Sequence, residues 1–258
     1  MSVLLGAATL WKRELVRFFR QRSRIIGALG TPLIFWLLLG AGVGQSFSLP
    51  TGSGTMNYME YFFPGTVVMI LLFTSIFATI SIIEDRNEGF LQAVLVAPTP
   101  RTTIVLGKIA GSTTLALIQG MVFMVLAPFI VGLSPSAIPL TIVVLGLVAF
   151  GLTGLGYLIA WKMESTQGFH AIMNLFLIPM WLLSGAVFPA EGSPAWLQWI
   201  MWVNPLTYGV AATRWSMYGT EEYLTMGGPD PRVALVVVTG FALITFVAAI
   251  AVTNKRSA

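Results

Sequence analysis

A chain of 258 residues that is 56% hydrophobic and only 9% charged, with a mean hydropathy of +0.85, carries more apolar surface than one soluble core can hide. It reads as an integral membrane protein. Cysteine is absent, which excludes disulfides, zinc–thiolate clusters and thiol nucleophiles; the net charge is a modest +4, and no nucleic-acid partner is expected.

Residues 3–24 place Leu4, Ala8, Trp11, Leu15 and Phe18 on one helical stripe, with Arg13, Arg17, Arg20 and Arg24 on the opposite one. This pattern predicts an amphipathic helix lying on a membrane surface, with Trp11, Arg13, Arg17 and Arg20 as its interface residues. A soluble helix with a solvated basic face fits less well, because a span follows at once. The first long apolar run begins near Ile25 and five more follow, so nothing resembles a removable signal.

The apolar runs predict spans over 25–47, 61–83, 103–131, 138–161, 170–188 and 232–253, each about the length that a bilayer core requires. Six spans return both termini to one side. Twelve of the fourteen Lys and Arg residues fall on that side, from Lys12 and Arg13 to Lys255 and Arg256, and only Arg214 and Arg232 fall opposite. The positive-inside rule then makes both termini cytoplasmic. A full seventh span over 195–218 would put Lys255 and Arg256 outside.

The polar, glycine-rich stretch 48–60 is expected to be an external loop, leading through Pro64 into the second span. Residues 84–101 form the one substantial cytoplasmic loop. There an acidic first turn of Glu84, Asp85 and Glu88, with Arg86 and Gly89, precedes a helix carrying Phe90, Leu91, Val94 and Leu95 on one face. Pro98 and Pro100 stop it. Its acidic start favours a protein groove over bare lipid as the seat of that face.

Residues 170–215 are apolar up to Phe188-Pro189, turn through Glu191-Gly192-Ser193-Pro194, and become apolar again with Trp196, Trp199 and Trp202 at three-residue spacing. Five of the eight tryptophans lie between 181 and 215, where an interfacial belt or a helical hairpin dipping into one leaflet would put them. Charge parity favours a re-entrant hairpin over 189–215, broken at Asn204-Pro205, with Phe188, Pro189, Asn204, Pro205 and Tyr208 as candidate residues of an outer gate. The glycine pairs 107/111 and 40/44 permit close helix contact, as do Gly151, Gly154 and Gly156.

Proton-driven carriers and intramembrane enzymes need ionisable groups at membrane depth, and within the six runs, apart from tyrosines and Arg232 at the edge of the last, only Lys108 and His170 are ionisable. No stretch matches a phosphate-cradling loop. Energy for any transport must come from a partner.

The sequence resembles the membrane subunits of type 2 ABC exporters, the ABC-2 permeases of drug-resistance and lipo-oligosaccharide export. The resemblance spans nearly the whole chain. It rests on the basic amphipathic start, Tyr-Met-Glu-Tyr-Phe-Phe-Pro-Gly at 58–65, the run 84–101, Leu-Ser-Gly-Ala-Val-Phe-Pro at 183–189 and Asn-Pro-Leu-Thr-Tyr at 204–208. It implies an all-α integral membrane fold with six transmembrane helices, an N-terminal interface helix, a cytoplasmic coupling helix after span two, and an external re-entrant hairpin. It also implies a working unit of two permease copies, expected as a homodimer in the bilayer, with two copies of an ABC ATPase. The chain itself would hold no cofactor or metal; ATP and magnesium would bind the ATPase, whose closure would change the membrane cavity.

The expected function is a permease for ATP-driven export of an amphipathic small molecule, drug or lipid-linked substrate, in the bacterial cytoplasmic (inner) membrane. A membrane anchor or scaffold without transport activity is the alternative. The scarcity of acid–base residues disfavours a membrane-embedded transferase.

Overall fold

A computed structural model describes residues 3–20, 22–44, 47–51 and 54–255, apart from the side chains of residues 22–25, 48–51 and 54. The side chain of Arg24, read into the basic stripe, and Arg256, counted in the charge asymmetry, lie outside the described residues.

The architecture is a bundle of helices: α1 (Val3–Phe19), α2 (Arg22–Val43), α3 (Tyr58–Ala78), α4 (Ile80–Asn87), α5 (Phe90–Val96), α6 (Thr102–Met124), α7 (Ala127–Ile130), α8 (Ile138–Lys162), α9 (Thr166–Trp181), α10 (Ala195–Val203), α11 (Pro205–Thr225) and α12 (Pro231–Lys255). Among the described residues six stretches are long and apolar enough to cross a membrane: Ile26–Val43, Tyr58–Asn87, Thr102–Ile130, Pro135–Lys162, Thr166–Ala186 and Pro231–Lys255. They overlap the six expected runs. Helix α1 and the end of α12 lie at one end of the bundle, the near end; α10 and α11 lie at the far end.

The second span is the axis. Its most apolar window is 89% buried, against 17% for the first span and 28% for the sixth. Tyr61, Phe62, Phe63, Val67, Ile70 and Leu72 of α3 are fully enclosed by α2, α6, α8 and α11. α3 starts on a capping box, in which Asn57 Oδ1 accepts from Glu60 N (3.0 Å) and Glu60 Oε2 accepts from Asn57 N (2.9 Å). The stretch expected as a loop ahead of it is instead a small antiparallel hairpin, β1 (Ser48–Thr51) with β2 (Gly54–Asn57).

Small residues set the helix spacings. A Cβ on Gly154 of α8 would stand 2.5 Å from Thr245 Oγ1 of α12, so only glycine lets these helices approach so closely. The pair Gly107 and Gly111 does the same on α6, but its neighbour is α1, at Ala7, Leu10 and Glu14. The N-terminal helix is therefore docked onto the near half of the third span.

Candidate functional site

At the near end, ionised side chains from three elements meet in the interior. Asp85 of α4 is fully buried and accepts from Arg13 Nη1 (2.9 Å) and Nη2 (2.7 Å), from Arg17 Nη1 (2.8 Å) and from Lys108 Nζ. Lys108 of α6, 2% exposed, also donates to Glu14 Oε1 (2.6 Å) and Ser81 Oγ (3.1 Å). Arg17 Nη2 reaches Glu84 Oε2 (2.9 Å) and the more exposed Glu88 Oε1 (3.3 Å). Arg13 lies 3.8 Å from the Phe90 ring centroid, and its hydrogen bond to Asp85 holds the guanidinium above its ordinary pKa.

Such a cluster forms because burying any one of these charges alone would cost several kcal/mol, roughly, and each partner offsets another's lost hydration. It also corrects the sequence reading of the basic stripe. Arg13 and Arg17 face the carboxylates of α4 rather than lipid headgroups, and the buried line of α1 is Leu10, Glu14 and Phe18. Leu4 is exposed, Trp11 donates to Thr114 Oγ1 (3.0 Å), and Arg20 is exposed. Glu14, the one acidic residue between 3 and 24, was the overlooked signal; its partner lies 94 positions away.

The segment after α4 is likewise turned inward. Leu91 is 3% exposed and belongs to the subunit's own core, with Phe90, Val94 and Leu95 packed against that core. The expectation that this face fills a partner's groove is thus corrected: an apolar face buries on the nearest core, and here that core is in the same chain. What α5 and its approach leave open are Glu88, Gly89, Gln92, Ala93 and Val96. Two arginines fasten the ends of the segment. Arg86 donates to Met163 O (2.8 Å) and Trp161 O (2.7 Å) at the end of α8, and Arg101 donates to Thr253 O (2.9 Å) and Asn254 O (3.3 Å) at the end of α12. Each satisfies helix C-terminal carbonyls and complements the dipole there.

At the far end, α9 loosens into a π turn, Leu182–Ala186, with Gly185 at φ +76°. The freed carbonyls are taken up by side chains. Gly185 O accepts from Tyr61 Oη (3.0 Å) and from Arg214 Nη2 (2.8 Å), and Val187 O accepts from Tyr58 Oη (2.9 Å). Arg214 is only 5% exposed, reaches Tyr61 O (3.3 Å) and Ala186 O (3.4 Å) as well, and lies 4.0 Å from the Tyr61 ring centroid. Read from sequence as a stray external charge, it is the pin of this region. Burial pushes the nearby Tyr223 phenol up to about 12, with Arg214 pulling the other way.

The expected gate residues sit around that pin. Asn204 Nδ2 donates to Met180 O (2.6 Å) while its Oδ1 caps α11 at Leu206 N (3.0 Å), Pro205 takes the first helical position, and Tyr208 Oη donates to Trp202 O (2.9 Å). Pro189 lines a small cavity with Arg214, and Phe188 is half-buried. The stretch expected as a hairpin over 189–215 is α10 and a longer α11, which runs to Thr225 with a break at Gly219 (φ +80°). Trp196, Trp199 and Trp202 all point outward.

Two apolar grooves flank α9. One, about 830 Å³, runs between α9 and α10 past Phe176, Met180, Trp199 and Asn204; the other, about 520 Å³, runs between α9, α2 and α3 past Phe35, Phe73, Thr74, His170 and Asn174.

The family model for the ABC-2 type transporter matches residues 7–218, which takes in most of the docked α1, the α4–α5 segment, the π turn and the Arg214 pin. The chain belongs to the ABC-2 type transporter family. Among curated relatives it is similar to the putative transport permease ycf38 of Cyanophora paradoxa, 28% identical over 218 residues that cover 83% of this chain and 74% of that one. Nodulation protein J of Neorhizobium galegae is 24% identical over 258 residues, 99% of this chain and 95% of that one. The probable multidrug ABC transporter permease YbhR of Escherichia coli (strain K12) is 28% identical over 162 residues, covering 62% and 44%. As an ABC-2 permease the chain is a multi-pass membrane transport subunit rather than a catalytic one, of a kind that generally pairs with an ABC ATPase.

Proposed function

We propose that this permease is the membrane half of an ATP-driven exporter for an amphipathic small molecule, drug or lipid-linked substrate. It works as two copies with two ABC ATPase subunits, which hold the ATP and magnesium. The observation that carries the reading is the pair of grooves on either side of α9. Their walls are apolar, with only a few polar groups such as Asn174, His170 and Asn204, which suits a ligand that is mostly apolar with a small polar part. Leu175 and Phe176 between them are exposed, and a second copy of the chain set against α9 would turn the open grooves into a shared central cavity. The near end then faces the cytoplasm of the bacterial inner membrane, and Glu88, Gln92 and Val96 present the surface that meets the ATPase.

The test is ATP-dependent uptake of a fluorescent amphipathic dye by inside-out vesicles containing the permease and its co-purifying ATPase. Phe176→Arg, placed in the groove wall, is expected to cut uptake more than tenfold while the ATPase still co-purifies. Wild-type uptake in that variant would remove the grooves from the substrate path. A permease that binds no ATPase would be an anchor rather than an exporter.

A further inference from the structure

A cavity of about 230 Å³ lies at the near end, between the coupling helix and the ends of two spans. Arg86 and Arg101 bring two guanidinium groups to it, Trp161 and Thr253 form the wall from α8 and α12, and Leu91, Leu95 and Gln92 form the wall from α5. We propose that this cavity binds the phosphate of an anionic phospholipid headgroup.

The charge is one-sided. Among the described residues no acidic side chain lines the cavity, and the exposed Lys162 and Lys255 end the two helices that meet there. Helix capping uses up only part of the donor supply: Arg101 spends Nη1 on Thr253 O and Asn254 O, and among the described residues its Nε and Nη2 carry no protein acceptor. A planar guanidinium with two donors left in one fork matches two oxygens of a phosphate.

The location selects a lipid over a dissolved anion. The cavity sits where the fourth and sixth spans leave the apolar zone, and α12 exposes Val236, Leu243, Ile244 and Val247 to whatever surrounds the bundle. A lipid whose phosphate enters the cavity can lay its acyl chains along such a surface, which free phosphate cannot. Basic pockets between membrane helices at the interface hold anionic headgroups in this way. Because α5 forms one wall and α8 and α12 the other, an occupied cavity bridges the coupling segment to two spans, so bound lipid would stiffen the route by which motion enters the bundle.

The experiment is native mass spectrometry of the full-length permease in detergent, titrated with phosphatidylglycerol or phosphatidylcholine. Wild type is expected to retain phosphatidylglycerol at least about fivefold more tightly. Gln92→Glu adds a carboxylate to the cavity without touching either arginine cap, and should bring the two lipids within about twofold. Gln167→Glu, the same change at an exposed position outside the cavity, should keep the full preference. Arg101→Gln should lose the preference too, and its unfolding temperature reports the cap separately. Equal retention of the two lipids by wild type, or an undiminished preference in Gln92→Glu, would overturn the proposal. So would displacement of the lipid by inorganic phosphate at matching concentration, which would make the cavity a site for the free anion.

Discussion

The two ends of the bundle bury charge by opposite means. At the near end three cations, Arg13, Arg17 and Lys108, interleave with four carboxylates, Glu14, Glu84, Asp85 and Glu88, drawn from separate helices. At the far end Arg214 is held by backbone carbonyls and one aromatic face. A network of charges has spare partners, so one link can break while others hold. A cation seated through one nitrogen, Arg214 Nη2, on carbonyls that a π turn has released has no such spare. The near end spreads its charge over several links, and the far end hangs on one side chain.

Asp85→Ala tests this difference most severely. It leaves two arginines and a lysine facing one another, and should cost about 3–5 kcal/mol, seen as a sharply lower unfolding temperature in detergent. If the loss matched that of an exposed residue, the network would carry no structural weight. Arg214→Met strips the π turn of its charged donor and should cost about 2–3 kcal/mol. Arg214→Lys should recover little of it, because an ammonium lacks the flat face that the guanidinium lays over the Tyr61 ring. Full recovery with lysine would show that charge alone, not geometry, seats the far end. The smallest effect is expected from the double replacement Glu14→Leu with Lys108→Met. Removing both partners together leaves Asp85 its two arginines, so the double variant should lose less stability than Lys108→Met alone, by roughly 1–2 kcal/mol. A double variant worse than the single would mean the cluster has no redundancy.

The spans were legible because the bilayer writes its thickness into the sequence: an uninterrupted apolar run such as 138–161 has few other uses, and it lies within Pro135–Lys162. The centres of charge were not legible in the same way. Arg13 and Arg17 recur at helical spacing and look like a surface stripe, and only the fold brings them to Asp85, some seventy positions on. Leu91 gave an amphipathic signal whose direction one helix cannot reveal, since the pattern marks an apolar face without naming what covers it. The far end of α11 was missed for a related reason. The hairpin was expected to end at 215, and contacts with α8 and α12 keep the chain helical on either side of the break at Gly219. The glycines of α6 were rightly read as a site of close approach, but the neighbour proved to be α1.

The contact between Glu14 and Lys108 also sets a clock on biosynthesis. Translation adds about 5–20 residues each second, so the partner of a side chain 94 positions upstream emerges roughly 5–20 s later. Asp85, some seventy positions after Arg13 and Arg17, emerges roughly 3–14 s behind them, and until then the newborn helix can rest its cations on an acidic lipid surface. The same arginines that end up inside the finished bundle are thus free, until Asp85 emerges, to hold the newborn helix at a membrane surface.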